Sequence, residues 1–224
     1  MKDGGLLSKI IDYRQPTSLS AQLRQKRWEA FRDLTASVER PMKILDVGGL
    51  QSVWERIGFA DQPDIRITLL NIKKAPADHW NMESIEGNAC SMPQFHAGQF
   101  DIVYSNSVIE HVGGEKEIRA MADEIRRVGK RYYVQTPNRY FPVEPHFVFP
   151  MFQFLPVSLR ISLVQHFPLG WFEKIPDRER AEKYVRSINL LTKNQVKNLF
   201  PDAVTIDERF FGLSKSIQAI KFST

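Results

Sequence analysis

The chain of 224 residues has a single cysteine, Cys90, so it cannot close an internal disulfide or build a cysteine metal cluster. We interpret Cys90 as a small packing residue and expect no metal site. The sequence also lacks a long uninterrupted apolar run, and its first stretch, MKDGGLLSKIIDYRQPTS, carries charges throughout. This pattern predicts neither a signal peptide nor a membrane span, and it favours a cytoplasmic protein.

A continuous basic stripe is missing from the sequence as well. The formal net charge is +5, but Lys and Arg are interleaved with acidic residues, as in RQKRWEAFRDL and EIRRVGKR. Scattered charge is typical of a solvated surface, so a nucleic-acid partner is disfavoured. With 42% hydrophobic and 25% charged residues and no internal repeat, the chain is expected to form a single domain over residues 1–224.

Apolar periodicity predicts strands that alternate with helices. The predicted helices run from Ser18 or Ser20 to about Glu39, then over 50–58, 114–129 and 192–200, the last with a Thr-x-x-Gln capping box. The predicted strands are 42–47, 65–71, a weak one near 84–86, 100–106, 130–136 and two in the tail around Gly212. This alternation predicts an α/β fold with a mostly parallel sheet and an antiparallel last strand. Because such sheets bind ligands at the carboxyl ends of their strands, the segments after Val47, Leu70, Asn106 and Thr136 are expected to line one site.

The turn after the first strand, DVGGLQS, lacks the spaced glycines with which a dinucleotide loop brings backbone N–H groups close to a pyrophosphate. Gly48 and Gly49 open the turn, but Leu50 and Ser52 stand where further glycines would be needed. This spacing disfavours an NAD-dependent oxidoreductase. It is compatible with a ligand that carries no phosphate and needs mainly a turn without obstructing side chains.

Four stretches in order, ILDVGG, TLLNIK, IEGNACSMP and GQFDIVYSNSVIEHV, resemble the signature stretches of class I S-adenosylmethionine-dependent methyltransferases, most closely the family called type 11. The resemblance covers roughly residues 41–137. It implies a Rossmann-like class I methyltransferase fold, with a mostly parallel seven-stranded sheet, an antiparallel last strand and helices on both faces. It also implies the cofactor S-adenosyl-L-methionine, bound by Asp46, Gly48, Gly49, Asn71, Ile72, Asn88, Ala89 and Asn106.

Two of these positions depart from the family pattern. The family usually ends its second strand with Asp or Glu, which accepts hydrogen bonds from both ribose hydroxyls, whereas Asn71 offers one acceptor and a two-proton donor. Asn88 stands where the family tends to have an Asp that accepts from the adenine amino group. These departures leave open a catalytically weak or inactive methyltransferase-like binding protein as the alternative to an enzyme. They also predict that Asn71→Asp leaves cofactor binding intact or tightens it.

Candidate proton acceptors follow the ends of predicted strands. His111 lies in VIEHV, and Glu144 and His146 lie in VEPHF; histidine titrates near neutral pH. The sequence therefore predicts His111 and His146 as the catalytic residues of a methyl transfer to oxygen. The alternative is that Glu110 and His111 only fix their loop by hydrogen bonds.

Residues 137–175 hold many of the aromatic residues and prolines of the chain. The resemblance implies that this insertion covers the acceptor, so we expect a lid over a small or lipid-linked acceptor. Within it, residues 147–172 are rich in apolar side chains. Two interpretations follow: burial against the sheet, or peripheral contact with a membrane surface.

Overall fold

The computed structural model describes residues 19–36, 38–170 and 172–222, with side chains from residue 25 onward except residue 26. The chain divides into two compact units after Arg40. The first unit contains helix α1, Leu19–Ala36. The predicted first helix is therefore present, but it ends before Glu39. Its predicted caps, Ser18 and the side chain of Ser20, lie outside the described residues.

The second unit carries the sheet, and most of its elements follow the predicted bounds. Its strands are β1 Met42–Val47, β2 Ile65–Asn71, β3 Met82–Glu86, β4 Phe100–Asn106, β5 Gly129–Pro137, β6 Val143–Glu144, β7 Phe149–Pro150, β8 Val204–Phe210 and β9 Leu213–Lys221. Its α-helices are α2 Gln51–Arg56, α3 Glu115–Val128, α4 Val157–His166, α5 Arg178–Arg186 and α6 Lys193–Leu199, and short 3-10 helices lie at Ile109–His111 and Phe152–Phe154. Helix α6 begins with the predicted capping box, formed by Thr192 and Gln195.

Seven strands form one sheet in the order β3-β2-β1-β4-β5-β9-β8. The strands from β3 to β5 run parallel, and β9 is antiparallel to both β5 and β8. This topology confirms the predicted fold. The carboxyl ends of the central strands lie side by side, since Val47 is opposite Leu70 on β2 and Ser105 on β4, and Asn106 is opposite Gln135 on β5. The segments that follow these ends therefore meet at one edge of the sheet.

Side chains alternate along each central strand, so both faces of the sheet must be covered. On one face, the predicted apolar stripe of α3 packs in a buried core with Leu45 of β1 and Val103 of β4. On the other face, Trp54 of α2 contacts Tyr104 of β4, with ring centroids 5.5 Å apart. Helices thus lie on both faces, and their connections to the strands form the edge described above.

The predicted insertion between β5 and α6 folds into helices that the sequence did not predict. Strands β6 and β7 form a short antiparallel hairpin, and α4 packs on α5. The buried core of this layer is formed by Phe147, Phe152, Ile161, Val164, Ala181 and Val185. Among the described residues of the insertion, the exposed large hydrophobic side chains are Tyr140, Met151, Phe154, Leu159, Phe167 and Phe172. None of the described helices is long and apolar enough to cross a membrane.

Candidate active site

The turn between β1 and α2 is so tight that its two glycines have no room for a side chain. Gly48 has a φ of 80°, and its N–H donates to the carbonyl oxygen of Leu70 at 2.8 Å. A Cβ on Gly48 would lie 2.5 Å from Val108 Cγ2, and a Cβ on Gly49 would overlap the carboxylate of Asp46. Glycine is therefore required at both positions, and the exposed backbone at Gly48 stays accessible to a ligand.

Asp46 lies beneath this turn. Its side chain is buried, and its Oδ2 accepts a hydrogen bond from Trp54 Nε1 at 2.7 Å. Burial raises the pKa of Asp46 from 3.8 to about 7, although the hydrogen bond from Trp54 partly opposes the increase. The contacts of Asp46 thus connect β1, the glycine turn and the start of α2.

Asn71 ends β2 beside the same turn. Its Nδ2 donates to the carbonyl oxygen of Gly49 at 2.9 Å, a contact that the sequence did not predict. Its Oδ1 remains the side-chain atom that can accept a hydrogen bond from a ligand hydroxyl. Ile72 follows, and its apolar side chain has an exposure of 69%.

The segment after β3 lies against the end of β2, because the N–H of Gly87 donates to the carbonyl oxygen of Asn71 at 2.9 Å. The Oδ1 of Asn88 accepts from the N–H of Cys90 at 2.9 Å, so this oxygen shapes the turn in which it lies. Ala89 is buried and Cys90 is half-buried. The three predicted cofactor segments after β1, β2 and β3 are thereby brought together.

The chain leaves β4 through a strained residue. Asn106 is half-buried at the strand end, and Ser107 then adopts a φ of 57°. The hydroxyl of Ser107 donates to Gln135 Oε1 at 2.9 Å. Positive φ at a non-glycine residue is typical of functional sites, and here it directs the chain into the 3-10 helix Ile109–His111.

The two predicted catalytic histidines lie in contact, although they are far apart in sequence. Their Nε2 atoms are 3.0 Å apart, and His146 Nδ1 lies 2.6 Å from Glu144 Oε1. Glu144 is buried, and its other oxygen accepts from the N–H groups of His146 and Phe147 at 2.8 Å and 2.7 Å. Glu144, His146 and His111 thus form a continuous polar chain from the insertion to the loop after β4.

This chain gives the two histidines opposite pKa changes. Burial, and then the charge of His146, lowers the pKa of His111 to about 4. Burial also lowers the pKa of His146, but the hydrogen bond and charge of Glu144 outweigh it and raise the pKa above its ordinary value. Of the two rings, His146 is therefore the one that takes up a proton first as the pH falls.

Glu110 precedes His111 and is fully buried. Its Oε2 accepts from Thr136 Oγ1 at 2.9 Å, and burial raises its pKa to about 7 despite that hydrogen bond. Glu110, His111 and His146 each bring one potential ligand atom within 4.8 Å of the other two, so these three described residues could hold a metal ion. The sequence led us to expect no metal site because a single cysteine cannot build a cysteine cluster, an argument that does not apply to a site of two histidines and a glutamate.

A cavity of about 340 Å³ has Glu144 in its wall, but neither His111 nor His146 lines it. Arg139, Arg160 and Gln153 also line it, together with apolar residues of the insertion. Among the described residues, the buried Nε of Arg160 and the buried Oε1 of Gln153 have no hydrogen-bond partner. The sequence did not predict a role for Arg139; its position just after β5 was the signal that could have indicated one.

Residues 55–132 match the family described as a methyltransferase domain, type 11. Two uncharacterized proteins from strains of Mycobacterium tuberculosis are each 29% identical over 112 residues, or 50% of this chain and 36% of theirs. The chain therefore spans about a third of the length of these curated relatives.

Two solved structures show the same fold. A SAM-dependent methyltransferase from Aquifex aeolicus is 9% identical, with a TM-score of 0.50 over 86% of this chain and 87% of that one. A SAM-dependent methyltransferase from Methanosarcina mazei is 15% identical, with a TM-score of 0.52 over 85% of this chain and 97% of that one. The strand order and the two solved structures thus agree on the class I methyltransferase fold, and residues 55–132 match the methyltransferase-domain family.

Proposed function

We propose that the protein transfers a methyl group from S-adenosyl-L-methionine to an oxygen atom of a small acceptor. The observation that carries this proposal is the edge of the sheet where the ends of β1, β2 and β4 meet the open turn at Gly48 and Gly49. When bound, S-adenosylmethionine supplies a methyl group whose bond to sulfur breaks, leaving the electron pair on sulfur, as a bond to the acceptor forms. The residues of the chain have to align the acceptor and exclude water.

The predicted cofactor residues support this fit in different ways. Gly48 and Gly49 keep the turn free of side chains, which suits a ligand that approaches the backbone closely. Asn71 keeps Oδ1 to accept from a ribose hydroxyl while its Nδ2 holds the turn. The exposed side chain of Ile72 suits contact with the flat apolar face of adenine.

We assign the acceptor to the side of the edge beyond β4 and β5, where His111 and His146 face each other. Imidazole nitrogens can hold a hydroxyl group, which supports methylation at oxygen. Glu144, which contacts His146, lines a cavity with the volume of a small-molecule site. Arg139 and Arg160 in its wall favour an acceptor that carries a carboxylate or phosphate. A general-base role for either histidine stays a prediction.

The methyltransferase-like binding protein is the second candidate, and Asn71 is the observation that favours it. Because its amide nitrogen is engaged by Gly49, the side chain offers a single oxygen to the two ribose hydroxyls. A carboxylate at this position would offer two. Weaker cofactor binding without turnover is the expected behaviour of this candidate.

Calorimetry with S-adenosylhomocysteine tests the cofactor site. We expect the wild type to bind S-adenosylhomocysteine. Gly48→Val should give no heat of binding, because the new side chain would overlap Val108. Gly212→Val is the matched control: Gly212 has the same φ of 80°, but nothing lies within 4 Å of its Cβ position, so binding should persist. A wild type that gives no heat with millimolar S-adenosylhomocysteine, but does with NAD, would refute the proposal.

Release of S-adenosylhomocysteine in the presence of hydroxylated carboxylic acids and phosphate esters then separates enzyme from binding protein. We expect turnover with some of these compounds, and His146→Ala should lower kcat while cofactor affinity stays unchanged. His166→Ala, at an exposed histidine of α4, is the control. Cofactor binding without turnover on any of these compounds would instead support the binding protein.

A further inference from the structure

The carboxylate of Glu110 leaves one buried oxygen without a donor. Thr136 Oγ1 donates to Oε2, whereas Oε1 has no hydrogen-bond partner among the described residues. An unsatisfied buried polar group costs about 1–3 kcal/mol, and more when it is charged. Native proteins rarely keep such a group without a reason, and a bound ion is one of the recognised reasons.

The histidines beside Glu110 supply the remaining ligands of a cation site. One ring nitrogen of His111, one of His146 and a carboxylate oxygen of Glu110 all lie within 4.8 Å of one another, and the Nε2 atoms of the two histidines are 3.0 Å apart. Nitrogens at this separation, each bound at about 2.0–2.1 Å, would subtend an angle of about 91–97° at a metal ion. Small shifts of the Glu110 carboxylate would bring its oxygen within bonding distance of the same ion.

Two further residues orient these ligand atoms. Because the Glu144 carboxylate only accepts, His146 carries a proton on Nδ1, and a neutral His146 directs its Nε2 lone pair toward His111. Thr136 orients the Glu110 carboxylate, because its Oγ1 donates a hydrogen bond to Glu110 Oε2. A carboxylate behind a histidine ligand and a hydrogen bond to a carboxylate ligand are typical of metal sites.

We propose that Glu110, His111 and His146 bind one divalent first-row metal ion of the Zn²⁺ or Co²⁺ type. Two imidazole nitrogens and one carboxylate suit such ions better than Mg²⁺ or Ca²⁺, which prefer oxygen ligands. Three protein ligands leave a position open, and His111 is exposed, so an ion can enter from solvent. Placing the acceptor oxygen at the open position rests on the proposed function; the binding of the ion does not. There the ion would lower the pKa of an acceptor hydroxyl.

Titration of Co²⁺ into the full chain, freed of any purification tag, tests the proposal by equilibrium dialysis and visible absorption. We expect one Co²⁺ per chain, displaced by Zn²⁺. His111→Ala removes an exposed ligand, and Glu110→Gln keeps an acceptor for Thr136 but loses the charge; each should weaken Co²⁺ binding at least about tenfold. The control is His96→Ala, since His96 is also exposed but its ring contacts the carbonyl oxygen of Ala97.

The proposal is overturned if the wild type binds no Co²⁺, or if His111→Ala binds it as tightly as the wild type, because the ion would then lie elsewhere. Should Glu110→Gln fail to fold, the exposed His111→Ala variant still decides. Failure of the proposed function would be seen separately, as absence of heat with S-adenosylhomocysteine in a protein that still binds Co²⁺.

Discussion

Asp46 makes the stability of the fold depend on pH in a defined direction. The folded chain holds the Asp46 proton up to a pKa of about 7, whereas the unfolded chain releases it near 3.8. The folded state therefore binds more protons between these values, and the free energy of unfolding falls as the pH rises through this window. Asp46→Asn removes the titrating group and keeps an oxygen that can accept from Trp54 Nε1.

The difference between 3.8 and about 7 corresponds to roughly 4 kcal/mol. Relaxation around the ionised carboxylate reduces this value, so we expect an effect of about 2–4 kcal/mol. The unfolding free energy of Asp46→Asn minus that of the wild type should therefore increase by this amount as the pH rises from about 4 to about 8. Above pH 7 the variant should be the more stable protein.

Urea unfolding at a series of pH values measures this difference. Asp101→Asn is a control of opposite sign: burial raises the pKa of Asp101, but hydrogen bonds from Lys130 and the Lys43 N–H outweigh it and lower the pKa. The stabilisation by Asp101 is thus present at neutral pH and lost as the pH falls. A difference between wild type and Asp46→Asn that is independent of pH, or that grows against the variant at high pH, would refute the reasoning.

Three further predictions concern the glycine turn and the insertion. Gly49→Ala should lower the free energy of unfolding by several kcal/mol and abolish binding of S-adenosylhomocysteine, because its Cβ would overlap the Asp46 carboxylate. Asn71→Asp should weaken cofactor binding several-fold in calorimetry, since the variant loses the hydrogen bond of about 1 kcal/mol to the Gly49 carbonyl oxygen and places a carboxylate against it. If the insertion contacts a membrane, the wild type should float with anionic liposomes, and Phe154→Asp with Phe167→Asp, at exposures of 42% and 57%, should release it without changing its Tm.

Each of these three predictions has a control or a contrary outcome. Gly58→Ala meets nothing within 4 Å and should cost only the strain of its positive φ, about 1–2 kcal/mol. If Asn71→Asp binds S-adenosylhomocysteine more tightly than the wild type, the expectation from the sequence holds, in which the side chain of residue 71 contacts only the ribose. Phe211→Asp changes an even more exposed phenylalanine, at 83%, outside the insertion and should leave flotation unchanged. A wild type that stays in solution at low salt would refute membrane contact.

The sheet could be predicted because its strands are short apolar runs whose bounds are marked by turn residues. β1, β2 and β4 have the predicted bounds, and the turn at Gly212 joins the two tail strands as expected. Helix α5 was missed, since its sequence RERAEKYVR is mostly charged and buries only Ala181 and Val185. Its N-cap, where Asp177 accepts from the N–H of Arg180, was the available signal.

The sequence predicted candidate site residues but not the contacts between them. His111 and His146 were both predicted, but their meeting depends on the path of the insertion, which periodicity does not determine. The hydrogen bond from Asn71 to Gly49 was equally hidden, because it joins the ends of two strands through a side chain. The sequence alone predicts intact or tighter binding for Asn71→Asp, whereas this hydrogen bond leads us to predict weaker binding.

The position of β9 has a consequence for the order in which the protein folds during synthesis. β9 is the last described strand along the chain, yet it lies between β5 and β8, so β8 joins the sheet only through it. Until Leu213–Lys221 has left the ribosome, β5 presents an unpaired edge and β8 has no place in the sheet. Pairs such as Gln135 with Gln218 also close a long loop. We expect the nascent chain to be most prone to aggregation and chaperone binding in this interval, before a single late strand completes the sheet.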